Sequence, residues 1–479
     1  MKISMRSFLQ RGGVAGLVLG AYAAVAAPKD LPNFIIYTVD DFGATDLACF
    51  GSTYYETPHI DAFCADGMKF TEAYAACTVC SPTRAAIMTG RYPGRLGLTS
   101  WLRPFGAANA KAVSELKAPT KWYTQKGVSL PPNPFWLEHS EITIPEQLKT
   151  VGYISAHVGK WHLGEEPWWP KMQGFDENYG GCDFGQPPSY FDPYERNHSG
   201  IPSLPPREAG EYLTDRESDE ACSFIRRNAD RPFFLNMWHY AVHTPIQAKA
   251  DVTAKYQAKQ PLTGQRNPKY AAMVESVDDA FGRLVATLKE LGIYDRTVIF
   301  FTSDNGGVEG ITDNAPFRHG KTSPYEGGHR IPQICRWPGV TEAGSVCDTP
   351  VISVDFFPTL CAAVDVDLPT DREMDGVDMM PLLQGKTIDR DAIYWHHPHF
   401  QGFWPYSAIR KGDWKLIHYY SPVQGHELYN LKKDVGEKNN LFEKLPEKAH
   451  ELEAQLEAHL KEIGAKVPRI VNPDWKPKK

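Results

Sequence analysis

Four runs of β-branched and aromatic residues constrain this chain more than any other feature: Phe34 to Val39, Tyr153 to Val158, Pro232 to Trp238 and Thr297 to Thr302. Apolar runs of this length read as strands buried on both faces, and segments 144–150, 215–227 and 270–291 beside them carry helical periodicity. Strand and helix alternating in this way predict an α/β fold, a large mostly parallel sheet sandwiched by helices. Each run also ends in a polar motif: Asp40-Asp41, then Gly159-Lys160-Trp161-His162, then His239 and His243, then Ser303-Asp304-Asn305-Gly306. Open α/β sheets bind ligands outside the carboxyl ends of their strands, so these motifs are expected to meet in one site.

The 479 residues suffice for that sheet and a smaller unit. Texture changes near Tyr394. Segments 394–399, 407–410, 414–420 and 427–429 read as short antiparallel strands, and 446–463 as a helix with Leu452, Leu456 and Leu460 on one face. The expected organisation is a catalytic domain over 27–390 and a small C-terminal α+β subdomain over 391–479. Residues 103–140, rich in Pro, Lys and Gly, read as an insertion over the site, and Gly180 to Pro206 as a second long loop.

The first 26 residues have the form of a secretory signal: Lys2, Arg6 and Arg11, an apolar stretch from Val14 to Val25, and Ala24-Val25-Ala26 as a cleavage site. An exported protein, periplasmic or secreted, is expected, with no membrane span after signal removal. Removing the signal takes the net charge from −7 to −10, because Lys plus Arg falls from 51 to 48 against 58 acids. So acidic a chain is a poor nucleic-acid binder, and an anionic substrate would need a local cationic pocket.

Cys80-Ser81-Pro82-Thr83-Arg84 is the most informative short segment. Pro82 suits the first turn of a helix, which puts Cys80 at the N-terminus, where free N–H groups favour an anion. Arg84 lies one turn on, on the same side. Read in isolation, the same peptide fits a buried structural cysteine before a Pro-initiated helix. The chain has nine cysteines, an odd count. Cys77 and Cys80 form a Cys-x-x-Cys, but no second such motif supports a zinc site and no redox context surrounds it. Export permits disulfides among the others without assigning their pairing.

Two adjacent carboxylates at a buried strand end repel unless a cation neutralises them. Asp40 and Asp41, with Asp304 and Asn305, offer an all-oxygen set suited to Ca²⁺ or Mg²⁺. Helix capping and a β-turn are the structural alternatives for the two motifs.

Cys80 to Arg91, ending in Thr89-Gly90-Arg91, resembles the signature of the type I, formylglycine-dependent sulfatases. The resemblance extends over about residues 32–440 and implies an alkaline-phosphatase-like fold. It is nearest in texture to secreted bacterial arylsulfatases and glycan sulfatases. By this resemblance a maturase, oxygen-dependent or radical, converts Cys80 to formylglycine. Asp40, Asp41, Asp304, Asn305 and the modified residue 80 hold one calcium ion. Arg84, Lys160 and Lys321 bind sulfate. His162 takes a proton from the formylglycine hydroxyl, and His243 contacts sulfate and protonates the leaving oxygen. His239 lies four residues before His243, and one of the two is structural; the nearby Pro245 favours His243 for catalysis. Lys321 lies between Phe317-Arg318-His319-Gly320 and a Glu-Gly-Gly run at 326–328, whose glycines serve backbone geometry.

The resemblance implies hydrolysis of sulfate monoesters, on a sulfated glycan or a small sulfate ester, with galactose or N-acetylgalactosamine sulfates favoured. His396 and His397 are expected to touch substrate, within a cluster of His399, Phe400, Phe403, Trp404 and Tyr406 that Trp168, Trp169, Tyr190 and Tyr194 could extend; core and interdomain burial is the alternative. Two rival functions remain. One is a phosphodiesterase or phosphonate monoester hydrolase on the same fold, against which Asn305 beside Asp304 argues. The other is a non-catalytic glycan-binding relative, against which the presence of every key position argues.

Overall fold

Successive residues of the Asn33–Val39 strand enter two separate cores, Ile35, Tyr37 and Val39 on one side and Phe34 and Ile36 on the other. A two-residue period with both faces covered requires apolar residues at every position, which is why this run shows no alternation. The computed structural model describes residues 31–104, 116–197 and 199–477. The expected signal over 1–26 and part of the 103–140 insertion lie outside the described residues.

The main sheet has nine strands. Its order is Ser345–Cys347, Met68–Tyr74, Arg330–Arg336, Thr297–Ser303, Asn33–Val39, Phe233–Trp238, Ile154–Gly159 and Glu177–Tyr179, with Val351–Ile352 also paired to Met68–Tyr74. Helices Pro58–Asp66, Leu213–Arg227 and Pro268–Glu290 cover one face; Cys80–Thr89, Ile144–Lys149 and Phe356–Ala363 cover the other.

The four strands expected from the sequence are all present and parallel to their neighbours in that set. Arg330–Arg336 runs antiparallel to both of its neighbours. That reversal positions the site. The parallel strands deliver their carboxyl ends to one edge of the sheet, and the reversed strand begins at that edge, so the loop before it, which holds Lys321, arrives there too. The sequence reading missed Met68–Tyr74 and Arg330–Arg336. The first mixes polar and apolar residues around a register irregularity between Phe70 and Ala73, and the second carries Arg at both ends.

A second, antiparallel sheet joins Ile393–His397, Tyr406–Lys411, Trp414–Tyr419 and Glu427–Asn430. The Pro446–Glu462 helix buries Leu452, Leu456 and Leu460 against it, the face its spacing indicated. Arg469–Ile470 pairs instead with Val128–Leu130, which pairs with Tyr123–Gln125, so the C-terminal segment is tied to the insertion beside the site. A buried ion-pair network joins the small sheet to the large one: Lys415 Nζ lies 3.0 Å from both Glu326 and Glu437, and Arg410 reaches Glu72 and Tyr74. The nine cysteines are all free thiols.

Candidate active site

The Cys80–Thr89 helix begins at Cys80 itself. Val79 precedes it in extended conformation, Pro82 occupies the first turn, and Gly90 ends it with φ of 69° and an N–H bonded to the Ala86 carbonyl. The approach is fixed locally, because Thr83 Oγ1 accepts from the Cys77 N–H at 3.1 Å and donates to the Cys77 carbonyl at 3.0 Å. Burial pushes the Cys77 thiol up to about 12, so it is an unreactive structural neighbour.

Arg84 is fully buried one turn later. Its Nη2 stands 2.8 Å from Asp304 Oδ2 and 3.8 Å from Asp40 Oδ1, while Nη1 donates to the Lys160 carbonyl at 2.7 Å. Lys160 follows the strand ending at Gly159, where a Cβ would stand 2.0 Å from the Trp238 carbonyl oxygen; only glycine permits that approach. Its Nζ pairs with Asp40 Oδ2 at 2.5 Å.

The chain returns at once into the site. His162 has a φ of 57°, a left-handed conformation that a non-glycine residue rarely adopts, and Asp41 has a φ of 59°. The His162 ring is oriented by the Leu102 carbonyl, which accepts from Nε2 at 2.9 Å. Nδ1 is therefore the lone-pair nitrogen, and it faces Cys80 Sγ at 3.2 Å. Burial, with Lys160 adding, holds this imidazole well below its ordinary range, so it is neutral.

On the other side, Lys321 Nζ pairs with Asp41 Oδ1 at 2.5 Å, and His243 Nε2 lies 3.4 Å from Asp41 Oδ2. His243 Nδ1 donates to the Thr244 carbonyl at 3.0 Å. Burial lowers His243 to about 3, with Lys321 adding and Asp41 opposing. Burial alone would raise Asp41, but His243, Lys321 and Lys160 hold it below the usual carboxylate range. Asp40 is pushed well above that range by burial and by Asp304.

The carboxylate cluster fits a hard divalent ion. The ligand atoms of Asp40, Asp41 and His243 lie within 4.8 Å of one another. Asp40 Oδ1 and Asn305 Oδ1 are buried with no hydrogen-bond partner. Buried oxygens are rarely left so, and an oxygen-seeking cation would satisfy both. Asn305 is aimed by its amide, which donates to Asp41 Oδ1 at 2.8 Å.

Cys80, His162, His243 and Lys321 meet at one cavity of about 410 Å³. The wall includes residues that the sequence reading did not name: Trp101, Leu102, Phe184, Gln186, Thr322 and Gln401. Of these, only Phe184 and Gln186 fall in a segment marked from the sequence, the long loop from Gly180 to Pro206; Trp101 precedes the 103–140 insertion, and side chains that merely line a wall carry no motif.

His239 is not in the cavity. Glu217 Oε2 at 2.5 Å and the Tyr37 hydroxyl at 2.7 Å hold it inside the core. The structure also keeps His396 and His397 away from the cavity. His396 is buried against Ser407 Oγ at 2.7 Å, and His397 is buried beside the Thr99 carbonyl at 3.1 Å and Cys77 Sγ at 3.7 Å. Both belong to a strand whose two faces are covered, so their imidazoles serve interior hydrogen bonds. Tyr190 and Tyr194 lie in the main core, and Trp168 stacks on Trp136. His399 and Phe400 line an adjoining cavity.

The family model described as Sulfatase matches residues 32–366, and that described as N-sulphoglucosamine sulphohydrolase, C-terminal, matches residues 319–466. The human N-acetylgalactosamine-6-sulfatase is 36% identical over 398 residues, covering 78% of this chain and 69% of the relative. A protein of Formosa agariphila named Sulfatase is 31% identical over 497 residues, covering 87% and 85%. The solved structure of Ps i-CgsB in complex with k-i-k-neocarrahexaose superposes with a TM-score of 0.75 at 29% identity, covering 94% of this chain and 95% of that one.

Proposed function

The chain belongs to the sulfatase family, with its alkaline-phosphatase-like fold, and is a sulfuric ester hydrolase; from that premise we propose that it cleaves sulfate monoesters on a sulfated carbohydrate. In this reading Cys80 is matured to formylglycine, and Asp40, Asp41, Asp304, Asn305 and the modified residue hold one calcium ion. The observation that carries the reading is the meeting of Cys80, His162, His243 and Lys321 on one cavity, with Lys321 and His243 both paired to the Asp41 carboxylate behind its wall.

When present, the aldehyde hydrate supplies a hydroxyl nucleophile and the ion supplies positive charge toward the sulfuryl oxygens. The rest is the work of side chains. With Asp40 ionised, as a bound cation would favour, Arg84, Lys160 and Lys321 balance Asp40, Asp41 and Asp304 one for one, so a divalent ion would leave the site with a surplus of positive charge that suits an anionic ester. Neutral His162, with Nδ1 free toward residue 80, is placed to take a proton there. His243, fixed at Nδ1 by Thr244, presents Nε2 beside Asp41, and in its doubly protonated form, which the Asp41 carboxylate favours, it would give the Nε2 proton to the departing alkoxide.

Carbohydrate as substrate is supported by Trp101 and Phe184 in the cavity wall and by the carrahexaose-bound neighbour. The name of the human relative supports galactose or N-acetylgalactosamine sulfates within that class. The oxygen-only donor set, with Asn305 beside Asp304, supports calcium and a sulfate ester over phosphodiester or phosphonate chemistry. Export to the periplasm or medium, and dependence on a maturase, are part of the same proposal and rest on residues 1–26 and Cys80.

Two measurements test it. Co-expressed with a maturase, the tryptic peptide containing residue 80 should have the mass of the aldehyde. The matured protein should then turn over defined sulfated galactosides or N-acetylgalactosaminides faster in calcium than a matched phosphodiester in manganese. An aldehyde-bearing protein that prefers the phosphodiester would overturn the assignment.

A further inference from the structure

The catalytic cavity does not end at the reacting groups. It shares Trp101 and Gln401 with a second cavity of about 540 Å³, whose lining includes Arg103, Tyr123, Asn133 and Phe400. Each is the size of a small-molecule site. Two large aromatic side chains that ordinary folding would cover stand open here, Trp101 at 37% and Tyr123 at 47% exposure. The guanidinium of Arg103 lies 4.8 Å over the Trp101 ring and forms no ion pair among the described residues.

Two polar side chains of this wall, Asn133 and His399, are committed to the protein, whereas Gln401 Oε1 is buried with no hydrogen-bond partner among the described residues. Asn133 Oδ1 accepts from the Thr99 and Ser100 N–H groups at 2.9 and 3.0 Å, and its amide donates to the Ser100 carbonyl at 3.1 Å. His399 Nε2 meets Thr99 Oγ1 at 2.9 Å, and burial holds this imidazole well below its ordinary range, so it carries no charge. No Asp or Glu lines the second cavity among the described residues, although the chain as a whole is acidic at −7. Lys126, 4.9 Å over the Phe400 ring, adds a cation at the rim. The combination is a polar floor, open aromatic faces and a guanidinium with no ion pair among the described residues, one wall away from the reacting groups.

We propose that the second cavity binds the sugar residue joined to the sulfated one, with Tyr123 and Trp101 packing on the ring and Arg103 pairing with a carboxylate or second sulfate on it. The inference rests on the sulfatase reading and deepens it: the preferred substrate is an oligosaccharide with more than one negative group, not a lone sulfated monosaccharide. Arg is suited to this because its planar fork meets either anion with paired N–H groups while stacked on an aromatic face.

The test uses the full chain carrying Cys80→Ala, so that ligand is bound without turnover. Calorimetric titrations compare a sulfated monosaccharide with disaccharides whose neighbouring residue is neutral, uronic or sulfated. The uronic or the sulfated partner should bind roughly fivefold tighter than the neutral one at low salt, as expected for a partly shielded charge pair. The ratio should fall to about one in Arg103→Met. Tyr123→Ala should narrow the gap between the neutral disaccharide and the monosaccharide. Comparing the uronic and sulfated arms identifies the anion. A charge preference that survives Arg103→Met, or disaccharides that bind no better than the monosaccharide, overturns the inference. Turnover of an aryl sulfate by the matured protein, measured in parallel, separates that failure from failure of the sulfatase reading. Protein that turns over the aryl sulfate but binds none of the sugars overturns the inference and leaves the sulfatase reading standing.

Discussion

Lys321 Nζ lies 2.5 Å from Asp41 Oδ1. The pair joins the loop before an antiparallel strand to the end of a parallel one, and it puts a cation on the cavity side of the carboxylates. Asp41 and Cys80 both favour the charged ammonium, which is held above its usual range despite the opposing effect of burial. A fixed charge aimed at developing negative oxygen is worth about 10²–10³ in rate where such donors have been removed. Lys321→Ala is therefore expected to lower kcat/KM by about that factor, and Lys321→Arg to restore part of it. Steady-state rates on a sulfate ester check this; an alanine variant within about threefold of the parent would remove Lys321 from the mechanism.

Calcium should stabilise the protein whether or not residue 80 has been modified, because the orphaned oxygens of Asp40 and Asn305 exist in the unmodified chain. An ion that binds only the folded state at about one hundred times its Kd adds about 2.7 kcal/mol. Urea unfolding in calcium and in a chelator should differ by that order, and Asn305→Ala should need more calcium for the same shift. Superimposable curves would show that no such ion is held.

Glu437 gives a pH dependence remote from the reacting groups. Burial pushes its carboxyl up to about 7, Glu326 adds to the rise and Lys415 opposes it. A folded value above the unfolded one of about 4.5 means that the protonated form favours folding. The contribution is complete below about 4.5 and is lost as pH rises through about 7. A shift of this size is worth up to about 3 kcal/mol. Urea midpoints should therefore fall as pH rises from about 4.5 to about 7 in the parent, and less steeply in Glu437→Gln. Equal slopes would refute the assignment.

The strands that carry Asp40, Lys160, His243 and Asp304 were legible because a strand covered on both faces must be apolar throughout, and the first charged residue then marks its end. Met68–Tyr74 and Arg330–Arg336 were not, because their polar residues are neutralised by partners distant in sequence, Arg330 and Glu72 by each other and Arg336 by Asp66 and Asp295. Cys80 and Lys321 could be named from their motifs. The sequence favoured His243 over His239 through the nearby Pro245, and Glu217 and Tyr37 hold His239 in the core, outside the cavity that His243 lines. His396 and His397 were misplaced because an imidazole that serves an interior hydrogen bond looks the same in sequence as one that faces a ligand.

His162 offers the sharpest functional test, because its tautomer is set by a main-chain atom. With Nε2–H given to the Leu102 carbonyl at 2.9 Å, only Nδ1 can accept a proton from residue 80, 3.2 Å away. Its proposed task lies in the release of sulfate after the ester bond has broken, so loss of the imidazole should slow the second half of the cycle more than the first. His162→Ala is expected to lower kcat by about 10²–10⁴, the usual worth of a positioned base. A burst of alcohol product should appear, equal to the enzyme concentration, ahead of a slow steady state. Rapid-quench measurement of alcohol and sulfate release separates the two halves. If both products slow together with no burst, His162 acts before bond cleavage, and the geometry at Nδ1 orients residue 80 and does not deprotonate it.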